Sequence, residues 1–319
     1  MRPKQLASAS RRAILRAGGL AVAGCLSPLA GSLPRRAYAA IPPFRRKVGE
    51  IEVLAISDGT LEVPLSFTLP ETPMPEVTSL LNAYGLPPGG MPMQTNVTLL
   101  KTGNEVILVD AGSGPHFQPT AGKLAENMEA AGIDPRSVTK VVLTHGHADH
   151  LWGVFDDFDE EQFPNARYVL SAREWNFWTH PDTPTSVPDW LQGIARGSAR
   201  ILKQLEAKVD LRREGDAIAP GVTYFDTNGH TPGHASVHIE SAGERLLIAG
   251  DVLSHPAVSF ARPDWPMGND LDRVRGAAVR KRLADQLATD RLAFVGFHLP
   301  WPGHGVVERS GSAYRFVPA

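Results

Sequence analysis

Apolar and polar positions alternate with a two-residue period over residues 48–56, as half-buried strands do. Asp58-Gly59 then reads as a hairpin turn leading into 61–63. A second hairpin is expected from 95–100 and 105–109 around Thr102-Gly103-Asn104, with residues 41–46 left as an N-terminal arm. Residues 69–93 break the pattern with proline and glycine, around one short helix at 77–84. A longer helix over 120–131 stops at Gly132. The β-branched run through Val138, Val141, Val142 and Leu143 reads as a buried strand, followed by a strand at 167–170 and a helix beginning at 172–178. Prolines interrupt 181–188. Leu191, Ile194, Ile201, Leu202 and Leu205 then form a helical stripe within 190–208. Strands at 221–225, 235–239 and 244–248, a helix at 271–288 and a last apolar strand at 292–297 repeat the hairpin-then-helix order of the first half. With no low-complexity linker in this stretch, residues 41–319 read as one domain.

The first 40 residues differ in kind, with seven basic residues and no acidic one. Ser10-Arg11-Arg12-Ala13-Ile14-Leu15, an apolar stretch over 17–30 and Ala37-Tyr38-Ala39 together resemble a twin-arginine export signal with its cleavage site. The apolar stretch falls short of the ~20 residues that span a bilayer, so no stable membrane span is expected after cleavage. Export through the twin-arginine machinery to the periplasm or beyond follows from that reading. The alternative is a lipoprotein acylated at Cys25, the lone cysteine. Cleavage near residue 40 leaves no cysteine and hence no disulfide. It also leaves 25 of the 32 basic residues against 34 acidic ones, a net charge of −9. Such a chain is a poor partner for nucleic acid.

The candidate chemistry lies in Thr144-His145-Gly146-His147-Ala148-Asp149-His150, where the buried strand gives way to a loop. His145 and His147, two apart, point one way in an extended segment and converge on one ion. Asp149 and His150 follow on the turn and reach a second. Imidazole and carboxylate suit zinc or a similar divalent transition metal.

The pattern His-x-His-x-Asp-His resembles the metallo-β-lactamase superfamily. Its further ligand segments are matched by Gly229-His230-Thr231-Pro232-Gly233-His234, by the strand ending Gly250-Asp251, and by the strand ending Phe297-His298. The resemblance covers roughly residues 48–319 and implies a mixed α/β, four-layer αββα sandwich. It assigns His145, His147 and His230 to one metal, Asp149, His150 and His298 to another, and Asp251 to a bridge between them. Seven ligands exceed what one tetrahedral zinc takes but suit a pair of ions ~3.5–4 Å apart that activate a bridging hydroxide as nucleophile. Zinc leads, and manganese, iron and cobalt share these ligands. Asp149 and Asp251 are the carboxylates expected to serve catalysis.

By the same resemblance Asp110 hydrogen-bonds a ligating histidine, the alternative being a plain turn cap. His234 supports the site rather than joining it, and His304 competes with His298 for the last ligand place. The stretch 69–93 is either a surface loop or a flap over the metals. Trp152, Phe177, Trp178 and His116 are candidates for the substrate-pocket wall, with His255 also possible there. The segments 297–305, 314–318, Pro119-Thr120-Ala121-Gly122 and Phe177-Trp178 are similar to the methyl parathion hydrolase branch. The implied activity is hydrolysis of small neutral esters (lactones, aryl esters or phosphotriesters) by an enzyme that in this family is often a homodimer. A β-lactamase, a glyoxalase II-like thioesterase and a non-catalytic metal-binding scaffold are the alternatives.

Overall fold

Alternation of side chains along each strand builds two sheets whose inner faces meet. In the computed structural model, which describes residues 40–319, the first sheet holds β1 (Phe44–Val48), β2 (Ile51–Leu61), β3 (Met93–Thr102), β4 (Glu105–Val109), β5 (Lys140–Val142), β6 (Arg167–Ser171) and β7 (Val209–Arg212) in that spatial order. The second holds β8 (Ala217–Ala219), β9 (Val222–Asp226), β10 (Ala235–Ser241), β11 (Glu244–Ile248), β12 (Phe294–Val295), β13 (His304–Ser310) and β14 (Ala313–Pro318), also in chain order. Neighbours pair antiparallel from β1 to β4, then parallel from β4 to β7. In the second sheet only β11–β12 is parallel. The export segment and Cys25 fall on residues 1–39, outside the described residues.

Val53, Ile107, Val109, Val142 and Val169 face Val222, Val237, Ile239, Leu246, Ile248 and Val295 between the sheets. Their chain neighbours Leu54, Leu108, Val141, Tyr168 and Leu170 point outward instead. There they meet Leu124 and Met128 of α2 (Leu124–Ala130), Trp178 of α3 (Ala172–Thr179), and Leu191, Ile201, Leu202 and Leu205 of α4 (Asp189–Leu205). On the far side, Leu247 and Phe294 pack against Val279, Leu283 and Leu287 of α5 (Arg273–Asp290). Each sheet is thus buried on both faces, and the expected αββα layering is present. The helix α1 (Met74–Ala83) stands apart from these layers: Val77 and Leu81 join Leu69, Ala257, Val258 and Met267 in a smaller cluster. Residues 69–93 are in this way packed onto the 257–267 segment.

Four expectations are corrected. The arm at 41–46 runs into β1, which pairs with β2 from Phe44↔Ala55 to Val48↔Ile51, so the turn falls at Gly49 (φ +54°). Asp58-Gly59 is no turn: β2 continues through it to Leu61, with a register shift between Ser57 and Thr60. The reason is that Asp58 turns inward. Its buried carboxylate accepts from the backbone N–H groups of Ser113 (2.8 Å), Leu124 (2.9 Å) and Gly122 (3.2 Å). Burial pushes this carboxyl up to about 6, against the pull of those bonds. The helix at 120–131 starts later, at Leu124, because Asp58 holds the preceding loop in a non-helical path. Residues 181–188, read as a break, contain a single helical turn, Thr183–Ser186.

Candidate metal centre

Parallel sheets present their ligand sites at the carboxyl ends of their strands, and the histidine cluster follows that rule. His145 and His147 leave β5, and a short helical turn, Ala148–Leu151, carries Asp149 and His150. His230 comes from the β9–β10 loop, Asp251 from the turn after β11, and His298 from the loop after β12. All seven side chains are buried.

They form two sets: His145, His147, His230 and Asp251, then Asp149, His150 and His298, each with its donor atoms within 4.8 Å of one another. His147 Nδ1 lies 2.9 Å from His145 Nε2 and 3.0 Å from His230 Nε2. Nitrogens around a tetrahedral zinc with ~2.0–2.1 Å bonds stand roughly 3.3 Å apart, so this spacing suits a cation at their centre. Asp251 lies between the sets. Its Oδ2 is 3.3 Å from His230 Nε2 and 3.2 Å from His298 Nε2, and its Oδ1 is 3.2 Å from His150 Nε2. Asp149 Oδ2 sits 3.3 Å from both His150 Nε2 and His298 Nε2. Despite that closeness, His150 Nε2 and Asp251 Oδ1 are buried without an aligned hydrogen-bond partner. Leaving such atoms unpaired is costly, and a metal ion satisfies both.

Outward partners fix the histidine rings. His150 Nδ1 meets Asp110 Oδ2 at 2.8 Å, and Asp110 in turn accepts from Thr144 N–H (2.8 Å) and the Thr144 hydroxyl (2.9 Å). His298 Nδ1 faces the Gln94 carbonyl at 2.8 Å, and His230 Nδ1 faces Asp270 Oδ1 at 3.1 Å. With Nδ1 given to an acceptor, each ring turns its Nε2 lone pair to the centre. Asp110 thus links the His150 ring to the Thr144 backbone. His234 supports too: its Nε2 accepts from the Asp251 backbone N–H (3.0 Å) and its Nδ1 faces the Thr227 hydroxyl (2.9 Å).

The electrostatics favour added positive charge. Burial, then neighbouring histidines, hold His145 and His147 well below the usual imidazole value, so both are neutral and able to ligate. Burial takes His234 down to about 3. At His298 burial acts downward as well, but Asp251 and Asp149 overcome it and carry the ring up to about 10. Without a cation, Asp149 and Asp251 act against burial to raise both His298 and His150, and Asp110 adds to the pull on His150. A divalent ion supplies that charge instead.

The pocket expectations fare differently. Trp178 has no exposed surface: it lies under the metal loop, 5.7 Å from the His147 ring, with its indole N–H donated to Glu174. It is core, not wall. Phe177 is half-buried and edge-on to Trp178. Trp152 and His116 line a separate cleft of about 80 Å³ with Ser113, Phe155 and Arg200, which includes no residue of either set. His255 caps a chain turn by accepting from Ala257 and Val258 N–H, and His304 stacks on Phe44 in β13. Trp190 is half-buried beside the centre, its ring 6.1 Å from that of His147, with Phe67 edge-on to it at 5.1 Å. Sequence reasoning also missed Glu174, Asp270 and Arg280, three buried ionisable side chains.

Residues 90–305 match the metallo-beta-lactamase superfamily. Among solved structures the chain is similar to AidC, a dizinc quorum-quenching lactonase, with a TM-score of 0.82 and 28% identity over 87% of this chain and 97% of that one. It is equally similar to AbOPH, a hydrolase in the beta lactamase superfamily, with a TM-score of 0.82 and 27% identity over 88% and 98%. Among curated proteins, the N-acyl homoserine lactonase AttM of Azorhizobium caulinodans is 31% identical over 54% of this chain and 63% of its own length. Two buried His/Asp sets at the strand ends of an αββα sandwich, and a family match over most of the described chain, lead to one conclusion: this chain belongs to the metallo-β-lactamase superfamily and is a metal-dependent hydrolase.

Proposed function

We propose that the protein is a binuclear zinc hydrolase of small neutral esters, with acyl-homoserine-type lactones as the leading substrate class. The observation that carries this is the position of Asp251, with one carboxylate oxygen facing His230 of the first set and the other facing His150 of the second. When bound, such cations would supply Lewis acidity and an activated water near neutral pH. His145, His147 and His230 would hold one ion and Asp149, His150 and His298 the other, with Asp251 facing both sets. Asp149, wedged between two imidazoles, is engaged as a ligand and is not a free proton carrier. Trp190 and Phe67 place apolar rings beside His147, as a small-molecule site would need. The lactone preference draws on the likeness to AidC and AttM, whose names describe lactonases. A phosphotriesterase is the second reading, since the same activated water attacks carbon or phosphorus. Export by the twin-arginine route and a homodimer remain part of the proposal, resting on residues 1–40 and on family resemblance.

The test is hydrolysis of acyl-homoserine lactones, aryl esters, methyl paraoxon and nitrocefin, with and without a chelator. Chelator-sensitive turnover fastest on lactones is expected. Fastest turnover of methyl paraoxon makes the phosphotriesterase reading correct, and nitrocefin turnover a β-lactamase. Zinc-loaded protein inert to the whole panel would leave the scaffold alternative.

A further inference from the structure

We infer that Glu174 is a positioning residue that locks the two ligand-bearing loops of opposite halves, His145-Gly146-His147 and His230–His234, into one metal site. Glu174 belongs to α3 in the outer layer of the first half, yet its side chain is fully buried beneath the centre. One carboxylate oxygen accepts from the Gly146 backbone N–H (3.0 Å) and the Trp178 indole. The other accepts from the Thr231 hydroxyl (2.9 Å) and the Gly233 backbone N–H (2.8 Å). Gly146 stands between two ligands of the first set, and Thr231 directly follows the third. All four acceptor places are thus filled, three of them by donors from the two loops on either side of the same ligand set and the fourth by Trp178 of the same helix.

The glycines complete the picture. A Cβ on Gly146 would run into the Trp178 indole nitrogen, and a Cβ on Gly233 would run into the Glu174 backbone. Both loops approach α3 as closely as a chain without side chains permits, which is what brings their amides within reach of the carboxylate. Burial alone raises the Glu174 pKa, and the four donors act against it. A carboxylate with four donors on two oxygens has no place for a proton or an amide hydrogen.

This inference rests on the proposed metal pair, so the experiment reads zinc binding as well as rate. In Glu174→Gln the amide nitrogen, whichever way it points, sets a donor against two donors. The expected result is a folded protein, by circular dichroism and cooperative unfolding, whose affinity for one of two zinc ions falls roughly 10- to 100-fold in chelator competition, as for other supports of ligating groups. The other ion stays near its wild-type affinity. In the cobalt-loaded protein the visible bands of one site should shift while the rest of the spectrum stays. A general loosening of the fold would weaken both ions together and overturns the inference, as does a folded variant that holds both ions as tightly as wild type. If Glu174→Gln does not fold, Thr231→Val, which removes one donor and leaves the carboxylate, is read in the same way. There a selective fall supports the inference and unchanged affinity overturns it. Wild-type protein that takes up fewer than two zinc ions overturns the metal-pair reading itself, and this inference with it.

Discussion

Replacing Asp251 with asparagine is expected to lower kcat/KM on the best ester substrate roughly 10³-fold, the several kcal/mol that metal-assisted charge stabilisation supplies. The geometry sets that size. Asp251 places one oxygen 3.3 Å from His230 and 3.2 Å from His298 and the other 3.2 Å from His150, so this carboxylate faces both ligand sets. Asparagine keeps the shape and the backbone N–H held by His234. It removes the negative charge, and it turns one oxygen into an amide nitrogen that cannot ligate. At least one zinc ion should therefore be lost or weakened along with the rate, while the fold survives. Steady-state kinetics beside metal analysis of the purified variant decide the matter. A variant that keeps two tightly bound ions and near-wild-type turnover would refute the bridging role.

The parts of this site that were legible in the sequence are those whose chemistry is local. Four ligand-type residues between His145 and His150 cannot be explained by helix or strand periodicity, and Asp251 and His298 each follow an apolar strand. Strand alternation was legible for the same reason: Val53 and Leu54, or Val141 and Val142, differ in face by the pleat alone. What stayed hidden is what depends on distant partners. Asp58-Gly59 has the composition of a hairpin turn, and only Ser113, Gly122 and Leu124, more than fifty residues on, turn its carboxylate inward. Glu174 looks like a solvated helix residue until Gly146 and Gly233, 28 and 59 positions away, supply its donors. The aromatics at 175, 177, 178 and 190 pose a related problem. Their spacing says that a helical face is apolar but not which ring is core, and the structure buries Trp178 while Trp190 reaches the centre.

The second large effect concerns stability. Arg280→Met is expected to destabilise the protein by about 3–5 kcal/mol, the cost of leaving one member of a buried ion pair without its partner. Arg280 and Asp270 are among the least accessible charges among the described residues, with side chains 1% and 2% exposed. The guanidinium also donates to the carbonyls of Pro263 and Trp265, both at 3.1 Å, so methionine leaves two acceptors without this donor and the Asp270 carboxylate without its cation. Hydrophobic packing by methionine offsets part of the loss but cannot neutralise Asp270. Urea unfolding after chelator treatment isolates this term, because bound metal adds stability of its own by mass action. The double variant Asp270→Asn/Arg280→Met should recover part of the loss. The asparagine carbonyl still accepts from His230 Nδ1, and no uncompensated charge is left inside. A double variant no more stable than Arg280→Met would mean that the Pro263 and Trp265 carbonyls, rather than the stranded carboxylate, account for the cost. An Arg280→Met protein as stable as wild type would show that water or a backbone group reaches Asp270, and that the pair is not what holds it. His230 connects the pair to catalysis: its ring is oriented by Asp270, and Leu271 and Asp272 bind the backbone of its loop at 2.9 and 3.1 Å. Loosening α5 at Arg280 should therefore reach the first metal set before the second.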